Sequence, residues 1–125
     1  LLAGRQLLIR SDGTFTRDYI FVDDVVNGYL LVARHMKDMD LGGHAFNFST
    51  ESPISVLDLF RAIADMAGRR DQAPKVLNTA TCEIPHQYLN ARKARRMLRW
   101  KPRYSLEEGL REAYTWYSKA YKKLT

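Results

Sequence analysis

Helical stretches alternate along this chain with apolar runs of no more than five residues, and that mismatch constrains the fold more than any other feature. Residues 6–9, 18–22, 44–48 and 75–77 read as short strands, rich in aromatic and β-branched side chains and bounded by turn formers. Four helices stand between and after them. An independent doubly wound sheet needs more and longer strands, so the expected class is α/β with part of its sheet outside this sequence.

The helices carry clear punctuation. The first is expected over 23–37, where Asp23 and Asp24 suit the positive end of the helix dipole. Val22, Val25, Val26, Tyr29, Leu30, Ala33 and Met36 recur at its helical spacing and predict one buried face. Gly42-Gly43 ends it, and HAFNF (44–48) reads as a buried strand. The second helix starts at the cap Ser55 and stops at Gly68, with Val56, Leu57, Phe60, Ile63, Ala64 and Ala67 facing inward. Residues 78–88 look irregular. Asn90 caps a basic helix over 91–98, which Pro102 keeps from continuing. Ser105 and Glu108 form a capping box for a last helix reaching about residue 121.

Bulk properties narrow the class. At 125 residues the chain has the length of one domain, here 1–125, with no internal repeat. The apolar runs fall far short of the roughly 20 residues a membrane helix needs, and the interrupted LLAGRQLLIR start is no signal peptide. The lone Cys82 excludes an internal disulfide, and together these features place the chain in the cytoplasm as an expectation. A net charge of +6 raises anionic partners. Arg92, Arg95, Arg96 and Arg99 fall on one side of their helix, as a phosphate-contacting stripe would, but the layout matches no common nucleic-acid module. A solvated basic helix face is the simpler reading, so no nucleic acid is expected.

Several chemistries lack their residues. No Gly-x-Gly-x-x-Gly or Walker-type loop follows a strand, so no cofactor-binding residue is expected in this chain. His35, His44, His86 and Cys82 show no ligand spacing, so no metal site is expected. No nucleophile stands with a matched base, and helix initiation accounts for Asp23 and Asp24 without catalysis. His86, in the 83–88 segment, is the most interesting histidine, with loop packing ahead of catalysis. Arg17 offers a planar fork of donors suited to phosphate oxygens, while Asp18 beside it could hold it as a local ion pair. The residues alone leave those two readings even.

Three blocks then coincide with one family. GTFTRDYIFVDDV (13–25), HAFNFS (44–49) followed by PISVLDL (53–59), and NARKARRMLRWKP (90–102) resemble, in order, the motifs of the extended short-chain dehydrogenase/reductases. These are the NAD-dependent epimerases and dehydratases of nucleotide sugars, and LEEGL (106–110) with Trp116-Tyr117 is similar to their terminal helix. The resemblance implies the carboxy-terminal, substrate-binding portion, with the Rossmann domain, bound NAD or NADP and the Tyr-x-x-x-Lys pair absent from this chain. It implies that Arg17 contacts the diphosphate of a nucleotide sugar, that Asp18 steadies the strand beside the pocket, and that Asp24 opens a helix. No catalytic residue is then expected here. Partners are a nucleotide-diphosphate sugar and the Rossmann domain, with a homo-oligomer at full length.

The 9–18 and 84–88 segments look most like 4,6-dehydratases of CDP-glucose or GDP-mannose type, which makes His86 and Tyr88 candidate pocket residues. A 4-epimerase of the same family and a free-standing basic anion-binding module are the alternatives. Two departures stand out. No arginine occupies 81–88, where many relatives carry a second phosphate-binding one. Arg99 replaces a glycine expected at positive φ, at a cost on the order of 1 kcal/mol. Without its Rossmann half the chain is expected to leave apolar surface exposed and to self-associate.

Overall fold

In the computed structural model, residues 2–124 are described. The element order is β1 (Leu8–Ile9), β2 (Thr16–Arg17), α1 (Val22–His35), β3 (Ile54–Ser55), α2 (Val56–Met66), β4 (Lys75–Val76), β5 (His86–Gln87), α3 (Arg92–Leu98) and α4 (Leu106–Leu124). β1 pairs in parallel with β4. β2 is the centre of a second small sheet, antiparallel to β3 and parallel to β5. The four helices and few short strands agree with the expected class.

Helix punctuation follows the sequence closely. The Ser55 hydroxyl accepts the Asp58 N–H at 3.1 Å and caps α2. Ser105 Oγ accepts the Glu108 N–H at 3.2 Å while the Glu108 carboxylate accepts the Ser105 N–H at 2.8 Å, a reciprocal box. Asn90 Oδ1 takes the Arg92 N–H at 2.9 Å, but α3 opens one residue later than expected, with Ala91 at the N-cap position and no side chain capping it. Arg99 adopts φ 52°, so the left-handed stop of α3 is made by a residue with a Cβ.

Four expectations need correction. The strand at 18–22 lies earlier, at Thr16–Arg17, because β2 must register with both Ile54–Ser55 and His86–Gln87. Residues 86–87, expected to be irregular, form β5 for the same reason. HAFNF is not a strand among the described residues: Phe46 and Phe48 point inward and His44, Ala45 and Asn47 outward, but no neighbouring strand pairs with them. The inward face of α1 is also different. Val22, Val26, Tyr29, Leu30 and Met36 are exposed, whereas Asp24 and Gly28 are buried and Leu31 and Val32 pack on the core. Apolar periodicity marked a face that the described residues leave mostly exposed, so the expected exposed apolar surface is present.

The core sits where α3 crosses α1. Leu41, Ala91, Ala94, Leu98 and Trp100 form it, flanked by Ile20, Phe46, Phe48 and Met97. Gly28 is required there: a Cβ on it would stand 2.6 Å from the Phe48 ring. Asp24, wholly buried, ties the core together. Its carboxylate accepts the N–H groups of Arg103 (2.8 Å) and Tyr104 (3.2 Å), and its carbonyl accepts the Trp100 indole N–H at 3.0 Å. No helix among the described residues is long and apolar enough to cross a membrane.

Candidate functional site: an arginine beside paired short strands

The approach to Arg17 is a turn built by short side chains. Ser11 Oγ accepts the Gly13 N–H at 3.1 Å, and Asp12 Oδ1 accepts both the Thr14 N–H and its hydroxyl at 2.8 Å. Those bonds, the backbone one foremost, hold the Asp12 carboxyl below the usual aspartate range. Gly13 takes φ 88°, and a Cβ on it would lie 2.5 Å from Leu57 Cγ, so the turn is seated directly on α2. Backbone bonds from Leu57 N–H to the Gly13 carbonyl and from Val56 N–H to the Phe15 carbonyl, both 3.1 Å, deliver the chain into β2.

β2 sets the guanidinium. Arg17 Nη1 donates to the Thr16 carbonyl at 2.8 Å and reaches the Pro85 carbonyl at 3.4 Å, while the Pro85 carbonyl also accepts the Thr16 N–H at 2.9 Å. Nη2 faces Glu83 Oε2 at 3.9 Å. Asp18 is therefore not the ion partner of Arg17. Its two carboxylate oxygens instead accept the hydroxyls of Ser49 and of Thr50, the latter at 2.5 Å. This fastens the 49–50 loop beside β2.

His86 joins the same group. Its Nδ1 shares a hydrogen bond with Thr16 Oγ1 at 3.1 Å, and β5 places it beside Thr16 in register. Tyr88 is not gathered in: its side chain is exposed, and no described contact links it to Arg17. Glu83 was invisible to sequence reasoning. It lies 66 positions from Arg17, and no local pattern announces a pairing across that separation. Arg10 likewise approaches Glu83, Nη2 to Oε1, at 3.6 Å.

Elsewhere the surface offers other features without that chemistry. A groove of about 630 Å³ between α2 and α4 is lined by apolar residues such as Leu7, Leu59, Ile63 and Tyr114, so it offers nothing for a phosphate. The basic stripe of α3 is partly engaged within the fold. Arg95 pairs with Glu51, whose carboxyl also accepts the Ala91 N–H at 2.8 Å, and Lys93 sits 5.0 Å from the Phe46 ring centre. Those two partners, Ala91 first, hold Glu51 below the usual glutamate range. Among the described residues no three of His, Cys, Asp and Glu are grouped to hold a metal ion.

Across residues 1–48 the chain matches the NAD dependent epimerase/dehydratase family. A UDP-glucose 4-epimerase of Mycolicibacterium smegmatis is 36% identical over 110 residues, covering 88% of this chain and 34% of that protein. The structure of UDP-glucose 4-epimerase from Thermotoga maritima with UDP-glucose gives a TM-score of 0.81 at 30% identity, over 96% of this chain and 37% of that one. Over most of its length the chain is similar to members of the NAD-dependent epimerase/dehydratase family. It spans about a third of the length of these family members and matches a fragment of the extended short-chain dehydrogenase fold.

Within the family the sequence pointed to a 4,6-dehydratase of CDP or GDP type, and these relatives favour a 4-epimerase instead. The structure of dTDP-glucose 4,6-dehydratase from Bacillus anthracis with NAD is a likeness of fold alone, with a TM-score of 0.73 at 22% identity over 94% of this chain and 36% of that one. None of this chain's glycines builds the loop that cradles a dinucleotide's pyrophosphate. Gly13, Gly28 and Gly109 are filled by Leu57, Phe48 and Phe21, and Gly4, Gly42, Gly43 and Gly68 stand at no helix start. None therefore leaves the bare backbone at a helix N-terminus that a pyrophosphate needs.

Proposed function

We propose that this chain is the nucleotide-sugar-binding, carboxy-terminal portion of an NAD-dependent 4-epimerase acting on a UDP-sugar, with Arg17 gripping the diphosphate. One observation carries the reading. Two backbone carbonyls, from Thr16 within β2 and from Pro85 just before β5, hold Nη1, at one edge of the guanidinium, at 2.8 and 3.4 Å, while Nη2 makes a long contact, 3.9 Å, to Glu83 Oε2. A planar fork fixed on one edge is suited to capture phosphate oxygens with the other. Thr16 and His86 stand beside it with hydrogen-bonding groups, and His86 is a pocket residue in this reading.

Redox chemistry falls outside these residues, which bind and orient the substrate. NAD is then held by the Rossmann domain of the complete enzyme. The nearest approach to a Tyr-x-x-x-Lys pair is Tyr88 with Arg92. The likeness to UDP-glucose 4-epimerases supports the epimerase reading, and the 84–88 segment is what favours a 4,6-dehydratase as the second.

Product analysis separates them. The complete enzyme, given UDP-glucose and NAD, is expected to yield the C4 epimer. A 4-keto-6-deoxy sugar would make it a dehydratase, and turnover by the 125-residue chain alone would overturn the division of labour.

A further inference from the structure

Glu83 stands between two guanidinium groups, and neither contact is a hydrogen bond. Arg10 Nη2 lies 3.6 Å from Oε1 and Arg17 Nη2 lies 3.9 Å from Oε2. Each oxygen of one carboxylate is therefore turned toward a different arginine, at distances beyond the range of a formed N–H···O bond. The pairs are also wet: the side chains of Arg17, Glu83 and Arg10 keep 27%, 34% and 78% of their exposure. Long, exposed ion pairs are held weakly and exchange readily for a better acceptor.

The segment that carries Glu83 is conformationally unusual. Cys82, immediately before it, adopts φ 60°, and Asn78 adopts φ 50°. A left-handed cysteine is an uncommon conformation with a steric cost, and such positions concentrate where a chain must aim a particular group. Here the group aimed is the Glu83 carboxylate. On its other side, Pro85 is tied to β2 through its carbonyl, so the glutamate hangs between a strained turn and a fixed strand.

We propose that Glu83 is a built-in stand-in for a ligand phosphate. It holds Arg10 and Arg17 converged in the free site and yields to the incoming diphosphate, which makes Arg10 the second cation of the clamp. This rests on the reading of Arg17 as a diphosphate-binding residue. It also supplies what the sequence lacks at 81–88, because the second arginine comes from the strand end before the Gly13 turn. A diphosphate brings more negative charge than one carboxylate and oxygens that accept paired, charge-assisted hydrogen bonds, so it displaces the looser contact. Glu83 keeps the two cations from repelling each other apart before binding, and it excludes weaker monoanions by competition.

Titration calorimetry of the complete enzyme with UDP tests this, with uridine as the phosphate-free probe. Glu83→Gln is expected to tighten UDP binding by about twofold to fivefold, and Arg10→Ala to weaken it by about threefold to tenfold, as for exposed charge contacts. Arg10→Lys should recover part of the loss, and uridine affinity should stay unchanged throughout. UDP affinity unchanged or weakened in Glu83→Gln, or unchanged in Arg10→Ala, overturns the proposal, as does a uridine shift equal to that for UDP. Arg17→Ala tells the two failures apart. If it abolishes UDP binding while Glu83→Gln has no effect, only the stand-in falls. If it has no effect, the diphosphate reading falls too.

Discussion

Asp24 and Glu83 are both carboxylates facing partners from distant parts of the chain, and they are held in opposite ways. Asp24 is wholly buried and accepts two backbone N–H groups at 2.8 and 3.2 Å, while its own carbonyl takes the Trp100 indole. Glu83 is half-exposed and faces two arginines at 3.6 and 3.9 Å with no formed hydrogen bond. A buried charge without its bonds is costly, so Asp24 is satisfied and becomes a fixed joint of the core. An exposed charge with loose partners stabilises little and can be exchanged. The difference separates a group that holds the fold from one placed to be displaced.

The largest expected effect lies at the joint. Asp24→Ala leaves the Arg103 and Tyr104 amides without acceptors and should cost about 3 kcal/mol or more in urea unfolding. A loss as small as that of a surface substitution would break the contrast. Gly28→Ala drives a methyl to within 2.6 Å of the Phe48 ring and should cost about 2 kcal/mol by the same assay. Arg99→Gly relieves a left-handed residue at the end of α3 and should raise stability by about 1 kcal/mol. Glu83→Ala, at the loose end of the comparison, should change stability by no more than about 0.5 kcal/mol.

Acid sharpens the same distinction. Glu108, held low by the Ser105 N–H and then its hydroxyl, and Asp58, held low by the Ser55 hydroxyl and then Arg61, both sit in the first turn of a helix. Glu51 is depressed too, first by the Ala91 N–H and then by Arg95. A carboxyl depressed in the fold contributes stability above its unfolded pKa and loses it as pH falls through its folded value. Melting temperature should therefore hold steady through neutral pH and begin to fall as pH enters the ordinary carboxylate range, with the loss completed below it. A decline setting in between neutral pH and that range would contradict these assignments.

Legibility followed sequence distance. The Ser55 cap, the Ser105–Glu108 box and the left-handed Arg99 depend on residues within a few positions, so the sequence displayed them. The Gly13–Arg17 turn and its arginine were legible through a family motif. What failed was long-range. Asp24 meets residues 76 to 80 positions away, and nothing local distinguishes a helix-opening aspartate from a buried joint. The α1 stripe and HAFNF misled for a related reason: their pattern records a need for burial or pairing, but not where the partner stands. The exposed α1 stripe and the unpaired HAFNF segment agree with a chain that spans about a third of the length of its relatives.

The central claim is that Arg17 serves binding rather than folding. Calorimetry of UDP-glucose binding to the complete enzyme carrying Arg17→Ala, paired with a melting curve, tests it most directly. The account predicts an affinity loss of at least about tenfold, in keeping with a lost charge-assisted fork, and a melting temperature close to that of the unaltered protein. Unchanged affinity, or a loss that merely tracks unfolding, would contradict it.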